Sequence, residues 1–287
     1  NNDPLGHNNI WTESSGTWSK FMTRYCFIGG GNMAKALIGG LISKGVNNRD
    51  IKVIDPDPKA RKECESLYEL KTFTNLKSSG CDANVTILAV KPNLVHEALT
   101  SFNTEDGSLL ISVAAGIKIS TLEGLLGQNK PIVRSMPNTP ALIGKGATVV
   151  KSNANVAKDQ KKMVEDLFGT VGIVRWIESE EDLDAVTAIS GSGPAYFFLF
   201  AELIEKAAIQ IGLEKKLARE LSLQTFYGSA LLLENSSDSA KTLREKVTSP
   251  GGTTEKALAY LETNNLYSLL LEAIMEAKNQ AKHLSKQ

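Results

Sequence analysis

The sequence predicts an α/β protein in which a Rossmann-type, mostly parallel sheet domain precedes an all-α domain. Three observations predict it. Apolar runs of strand length alternate with helical stretches as far as residue 176, and small or polar residues close each run. From Ser179 onward only helical periodicity remains. Strands alternating with helices imply a parallel sheet with right-handed crossovers, and such sheets bind ligands at the carboxyl ends of their strands. The chain divides on this reading into residues 21–178, a sheet domain, and 179–287, a helical domain.

The first strand is Tyr25-Cys26-Phe27-Ile28, and Gly29-Gly30-Gly31-Asn32-Met33-Ala34 follows it. Ala36, Leu37, Ile38 and Leu41 then recur at helical spacing. Gly29-x-Gly31-x-x-Ala34 is the alanine-ended dinucleotide fingerprint. Gly29 permits the tight turn, Gly31 lets a pyrophosphate approach the backbone, and Ala34 lets helix and strand pack closely. The helix N-terminus adds unpaired N–H groups and a partial positive charge. A glycine turn that merely ends a strand is the competing reading.

Ile51 to Asp55 reads as a second strand, with Asp57-Pro58 as an N-cap and first helical residue. Asp55 lies near the position, about 20 residues past the fingerprint, where an acid binds the adenosine ribose hydroxyls. An acid there favours NADH because it repels a 2′-phosphate; a turn aspartate before proline is the alternative. Lys59 and Arg61 lie nearby and can face water. Further strands are Ala83 to Val90, running into Lys91-Pro92; Ser108 to Val113, running into Ala114-Ala115-Gly116; and Pro131 to Met136, running into Pro137-Asn138-Thr139-Pro140. A helix near Val156–Phe168 and a strand near Gly172–Trp176 end the first domain.

In the second domain, Ser179-Glu180-Glu181-Asp182 resembles a capping box. Pro194 opens a helix to Ile211 that is apolar almost all round and is expected to be deeply buried, with Gly212 as its stop. Helices over Lys215–Glu234 and Ser239–Thr248 follow, and Leu266, Leu269, Leu270, Ala273, Ile274 and Ala277 stripe the last one. So much surplus apolar surface predicts pairing with a second subunit, with internal packing as the alternative.

Composition narrows the function classes. The 287 residues carry 32 Lys+Arg against 32 Asp+Glu, so no overall field draws in nucleic acid or an anionic membrane. Cys26, Cys64 and Cys81 lack metal-ligand spacing and read as reduced thiols of a cytoplasmic protein. His7, His96 and His283 are scattered, and no metal site is expected. No apolar run reaches membrane-spanning length. Residues 1–20, rich in Asn, Ser, Thr and Gly with isolated Trp11 and Trp18, do not read as a secretory signal. They are expected to be a disordered tail or tag.

The stretch Val247-Thr248-Ser249-Pro250-Gly251-Gly252-Thr253-Thr254-Glu255 carries the chemistry. Two glycines, a proline and threonines just before a helix make a turn with exposed N–H groups, suited to a small carboxylate. An ordinary turn with Thr253 as N-cap is the alternative.

With that loop the chain resembles the Δ1-pyrroline-5-carboxylate reductase family. The matching runs are 27–34 (Phe-Ile-Gly-Gly-Gly-Asn-Met-Ala), 89–92 (Ala-Val-Lys-Pro), 134–141 (Arg-Ser-Met-Pro-Asn-Thr-Pro-Ala), 184–196 (Asp-Ala-Val-Thr-Ala-Ile-Ser-Gly-Ser-Gly-Pro-Ala-Tyr) and 247–254 (Val-Thr-Ser-Pro-Gly-Gly-Thr-Thr). The last two are the most specific, and the first is shared by many dehydrogenases. The resemblance implies hydride transfer from NADPH or NADH to the C=N carbon of the cyclic imine, giving L-proline. It places Thr254 at the imine nitrogen as the catalytic residue. Ser249 and the Gly251, Gly252, Thr253 and Thr254 amides then take the substrate carboxylate. It lines the cofactor with Gly29, Gly31, Asn32, Met33, Ala34, Asp55, Asn75, Ala89, Val90, Lys91, Pro92 and Ala115, with Asn138 near the nicotinamide.

Family members are dimers, often assembled into rings of dimers, so the Ser249–Thr254 loop of one chain is expected to meet its partner's cofactor. Two departures stand out: residues 1–20, and Asp55 where many members carry a neutral residue. The rival enzymes are β-hydroxyacid dehydrogenases and imine reductases. Hydroxyacid members place a catalytic lysine early in the long helix, whereas here the first lysine after Pro194 is Lys206. A non-catalytic NAD(P)-binding regulator would show a degraded substrate loop, and this loop is complete.

Overall fold

The computed structural model describes residues 23–79, 82–100, 102 and 107–285. The tail expected over residues 1–20 lies outside them, as does Cys81. Strands and helices alternate: β1 (Tyr25–Ile28), α1 (Asn32–Ser43), β2 (Ile51–Ile54), α2 (Pro58–Tyr68), β3 (Lys71–Phe73), α3 (Leu76–Ser79), β4 (Val85–Leu88), α4 (Val95–Thr100), β5 (Leu109–Ser112), α5 (Ile119–Leu126) and β6 (Ile132–Met136). β7 (Gly146–Ser152), α6 (Lys158–Gly169) and β8 (Gly172–Trp176) complete an eight-stranded sheet in the order β3-β2-β1-β4-β5-β6-β7-β8. Every pairing is parallel except β6 with β7.

The central strands are buried on both faces because helices cover both. Tyr25 and Phe27 of β1 pack with α1 and α6, while Ile28 points the other way, into the cluster with α4 and α5. On α1, Ala34, Leu37, Ile38 and Leu41 form the buried stripe that their spacing predicts. Asp57 caps α2 by accepting from the Lys59 N–H, and Pro58 follows at the first helical position.

Two strands escape the sequence reading. β3 has three residues, too few for a period to show. β7 opens on Gly146-Ala147 and ends on Lys151-Ser152, leaving only a short apolar run, and it runs antiparallel to β6. The connection 137–145 is too short for a parallel crossover, which takes about a dozen residues.

The remaining helices are α7 (Asp182–Val186), α8 (Gly193–Gln210), α9 (Lys215–Asn235), α10 (Ala240–Lys246), α11 (Thr253–Thr263) and α12 (Leu266–Leu284), with a π-helical turn, Thr187–Gly191, between α7 and α8. α8 and α9 pair as a helical hairpin, with the Phe197 and Phe226 rings edge-to-face at 6.2 Å. Gly212 follows α8 at φ +106, the left-handed stop expected there.

Two expectations need correction. The capping box at Ser179–Asp182 does not form: Glu181 is the N-cap of α7 and its side chain makes no capping bond. Glu180 is occupied elsewhere, pairing with Arg134 and accepting from the Ile119 N–H. Nor is α8 deeply buried within the chain, since Phe197 and Phe198 are 61% and 69% exposed. Its apolar surface is not covered by its own chain, so its burial has to come from a second subunit.

Candidate active site at the strand ends and the α11 turn

The ladder continues one residue past the strands and lines up their carboxyl ends. Asp55 donates its N–H to the Phe73 carbonyl, Gly29 to Ile54, Ala89 to Ile28 and Val113 to Leu88, over 2.8–3.0 Å. Asp55, Gly29, Ala89 and Val113 therefore stand side by side on one rim. The connections reverse direction between β1 and β4 in the sheet order. That switch point opens the crevice in which α/β sheets bind ligands.

At the rim, Gly29 has φ +101, and a Cβ there would stand 2.4 Å from the Ala89 carbonyl oxygen. Backbone conformation and space both demand glycine. Gly31 is different, for a Cβ on it would meet nothing within 4 Å. The space in front of it is open, and Gly31 caps α1 with no side-chain bond. The first-turn N–H groups of α1, from Asn32 to Ala34, thus face an open crevice, as a pyrophosphate site requires.

Asp55 is tied to this turn. Its Oδ2 accepts from the Gly30 N–H at 2.7 Å and its Oδ1 from the Asp57 N–H at 2.8 Å. Arg61 reaches back over the same corner, donating from Nη1 to the carbonyls of Asp55 (2.7 Å) and Pro56 (2.9 Å). Its guanidinium is therefore held beside Asp55. Beneath the turn, the fully buried Cys64 thiol lies 3.8 Å from the Gly30 carbonyl, and burial pushes its pKa up. It is a neutral filler. Lys35, one turn into α1, is held by Glu63 at 2.6 Å, and that bond raises its pKa.

The other predicted cofactor residues sit on the same edge. Asn75 caps the single-turn α3 by accepting from the Ser78 N–H at 2.9 Å. Ala89 and Val90 are half-buried after β4, and Lys91 and Pro92 are exposed at the start of the next turn. Ala115 is half-buried after β5. The Asn138 side chain is a cross-brace: Nδ2 donates to the Ser190 carbonyl at 3.0 Å, and Oδ1 accepts from the Ala147 N–H at 2.8 Å. It fastens the π-helical turn to the rim.

Among the described residues, the substrate loop makes no hydrogen bond to that rim. Gly251 has φ +74, the left-handed region that favours glycine, and Gly252, not Thr253, is the N-cap of α11. Two of the four predicted amides are already engaged. Gly252 donates to the Ser249 carbonyl at 3.0 Å, and Gly251 donates to Glu255 Oε2 at 2.8 Å. The Thr253 and Thr254 amides are first-turn donors without a helical acceptor. Among the described residues, the Ser249, Thr253 and Thr254 hydroxyls make no hydrogen bond. Outside the ladder of α11, the loop's hydrogen bonds among the described residues stay within 244–256, and none runs to the sheet.

Sequence reading alone misses three contacts. Arg134 and Glu180 pair at 2.8 Å with side chains 6% and 25% exposed, pinning the start of the helical half to β6. Glu255 reaches back to Gly251, and Arg61 to Asp55. Only the offset from Glu255 to the N-cap, which places it at the third position of α11, is a readable signal. Lys206, the residue weighed for hydroxyacid chemistry, is paired with Glu202 at 2.5 Å and is exposed.

Comparison with known proteins agrees with this arrangement. Residues 180–284 match the family model for pyrroline-5-carboxylate reductase dimerisation, and residues 24–116 match that for coenzyme F420-dependent NADP oxidoreductase. Pyrroline-5-carboxylate reductase of Pseudomonas aeruginosa is 38% identical over 92% of this chain and 97% of its own. Among solved structures, the Coxiella burnetii pyrroline-5-carboxylate reductase superposes with a TM-score of 0.85 at 38% identity, covering 93% of this chain and all of that one. The Plasmodium falciparum pyrroline carboxylate reductase with NADP bound gives a TM-score of 0.80 at 32% identity, over 92% and 98% of the two chains. A dinucleotide rim, a helical half with an unburied apolar face and relatives matching over nearly the full length lead to one conclusion: the chain belongs to the pyrroline-5-carboxylate reductase family.

Proposed function

We propose that this family's reaction is carried out here by a site divided between two subunits. The cofactor lies on one protomer's strand-end rim, and the substrate is held by its partner's Ser249–Thr254 loop. As a family member the chain is an NAD(P)H-dependent reductase that converts Δ1-pyrroline-5-carboxylate to L-proline as a homodimer. The observation that carries the division is the loop's isolation: among the described residues and outside the ladder of α11, its hydrogen bonds reach nothing beyond 244–256, while its hydroxyls and first-turn amides stay unpaired.

On the rim, the Gly29–Ala34 turn and the α1 N-terminus hold the pyrophosphate, and Asp55 faces the adenosine ribose. Asn75 and the residues from Ala89 to Pro92, with Ala115, line the groove, while Asn138 steadies its nicotinamide end. The open space before Gly31 supports this fit. Bound there, a reduced nicotinamide supplies the hydride.

The chain's own task is positioning. Ser249 and the Gly251, Thr253 and Thr254 amides orient the substrate carboxylate, and the Thr254 hydroxyl oxygen accepts from the N–H of the protonated ring nitrogen. An imine nitrogen must be protonated to accept hydride at its carbon, and hydride addition then leaves a secondary amine. No strong acid is required of the protein, and catalysis rests on orientation and preorganised donors. The residue division at 178/179 follows the same split of tasks. The equal charge balance supports a protein without nucleic acid or membrane partners, acting in the cytoplasm. Rings of dimers are a further expectation.

The test is NAD(P)H oxidation with Δ1-pyrroline-5-carboxylate, each cofactor in turn. Oxidation with at least one is expected; none with either would overturn the assignment.

A further inference from the structure

We infer that Glu255 is an affinity-setting residue, an internal carboxylate that holds a donor of the substrate-carboxylate site and must yield it when substrate binds. The inference rests on the substrate-loop reading above and deepens it. Its observation is the 2.8 Å bond from the Gly251 N–H to Glu255 Oε2. Gly251 is one of the amides that reading assigns to the substrate, so two carboxylates compete for one donor.

Several features make the competition effective. Glu255 stands at the third position of α11, where a negative charge is favoured by the helix end and offsets the partial positive charge that would attract an incoming anion. Its side chain is exposed, so it can swing into solvent without leaving a cavity. The turn persists without it, because Gly252 donates to the Ser249 carbonyl and Lys256 to the Gly252 carbonyl. Product carries the same carboxylate as substrate, so the effect extends to L-proline. Glu255 thereby weakens substrate and product binding together, which hastens product release.

The experiment uses the full-length dimer with Glu255→Gln and Glu255→Ala. Glutamine keeps an oxygen that can accept from Gly251 but removes the charge, whereas alanine removes both. Competition predicts that both variants lower KM for Δ1-pyrroline-5-carboxylate and the inhibition constant of L-proline, by roughly 3- to 10-fold. KM for the nicotinamide cofactor should stay unchanged. If Glu255 only braced the turn, glutamine would match wild type and alanine would raise KM; either result overturns the inference. Ser249→Ala distinguishes failure of the underlying reading. If it too leaves the substrate KM unchanged, the loop is not the carboxylate site.

Discussion

The two halves of the molecule treat their apolar residues in opposite ways. In the sheet half, Phe27, Ile87, Leu110 and Ile111 are wholly buried. In the helical half, Phe198, Leu223, Tyr267 and Leu269 are each more than 60% exposed. The first is a finished core. The second leaves many large apolar side chains in the open, as an association surface does. The same contrast separates the two functional stretches. The Gly29–Ala34 turn is tied to Ile54 and Asp55 of its own sheet, whereas the Ser249–Thr254 loop, among the described residues, hydrogen-bonds only within itself and to α11. On the proposed division of the site, dimerisation is a condition of catalysis and not only of stability.

The sharpest way to break this comparison is to disable one half at a time. Thr254→Ala should lower kcat by about 100-fold or more, the scale of losing one preorganised hydrogen-bond partner of the reacting group. Cofactor affinity, measured by fluorescence titration, should stay near wild type. Gly31→Leu should block the pyrophosphate without straining the fold, because the space before Gly31 is open. Neither variant alone should turn over well. Mixed and allowed to exchange subunits, they should regain activity, since the heterodimer holds one site with an intact rim and an intact loop. Continued inactivity of a verified heterodimer would show that rim and loop belong to the same chain.

A second test concerns the join between the halves. Glu180→Ala leaves the Arg134 guanidinium buried on β6 without its counter-charge and removes the acceptor of the Ile119 N–H. Breaking a buried pair from one side costs about 3 kcal/mol, or roughly 6–12 °C in Tm for a chain of this size. A change below about 1 °C by calorimetry would mean that the halves hold together without this pair.

This pair also shows where sequence reading stops. Periodicity reports which face of an element is apolar, so the α1 stripe at Leu37, Ile38 and Leu41 is legible. Local caps report helix starts, so Asp57-Pro58 is legible as well. Glu180, however, sits in a stretch that looks like a local cap while its partner is Arg134, far back in the chain. A long side chain chooses between a near donor and a distant one only once the fold brings the distant one close. Asn138 behaves likewise: the resemblance sets it near the nicotinamide, and nothing local shows that it also braces Ser190 to Ala147. β7 was hidden for another reason, since its small and charged residues carry little apolar signal and its direction follows from loop length. The Ser249–Thr254 loop was legible as a motif. Its engaged donors were not, because Glu255 could equally have faced water.

The finest distinction lies within the rim itself, where Asp55 and Arg61 act oppositely on a 2′-phosphate. Asp55 repels it, and its carboxylate is fixed by Gly30 and Asp57 at the ribose end. Arg61 is held beside it by two carbonyls and could turn toward an added phosphate. Fixed charge should prevail over a cation already engaged, so the chain is expected to favour NADH. Asp55→Ser should then shift the ratio of kcat/KM for NADPH over NADH upward by about 10-fold, near 1.4 kcal/mol. Asp55→Asn separates charge from bracing, because its carbonyl oxygen can still accept from Gly30. If asparagine shifts the ratio as serine does, the charge decides the preference. If the ratio stays put in both variants, Asp55 is a turn residue, and the Arg61 corner becomes the place where cofactor choice is made.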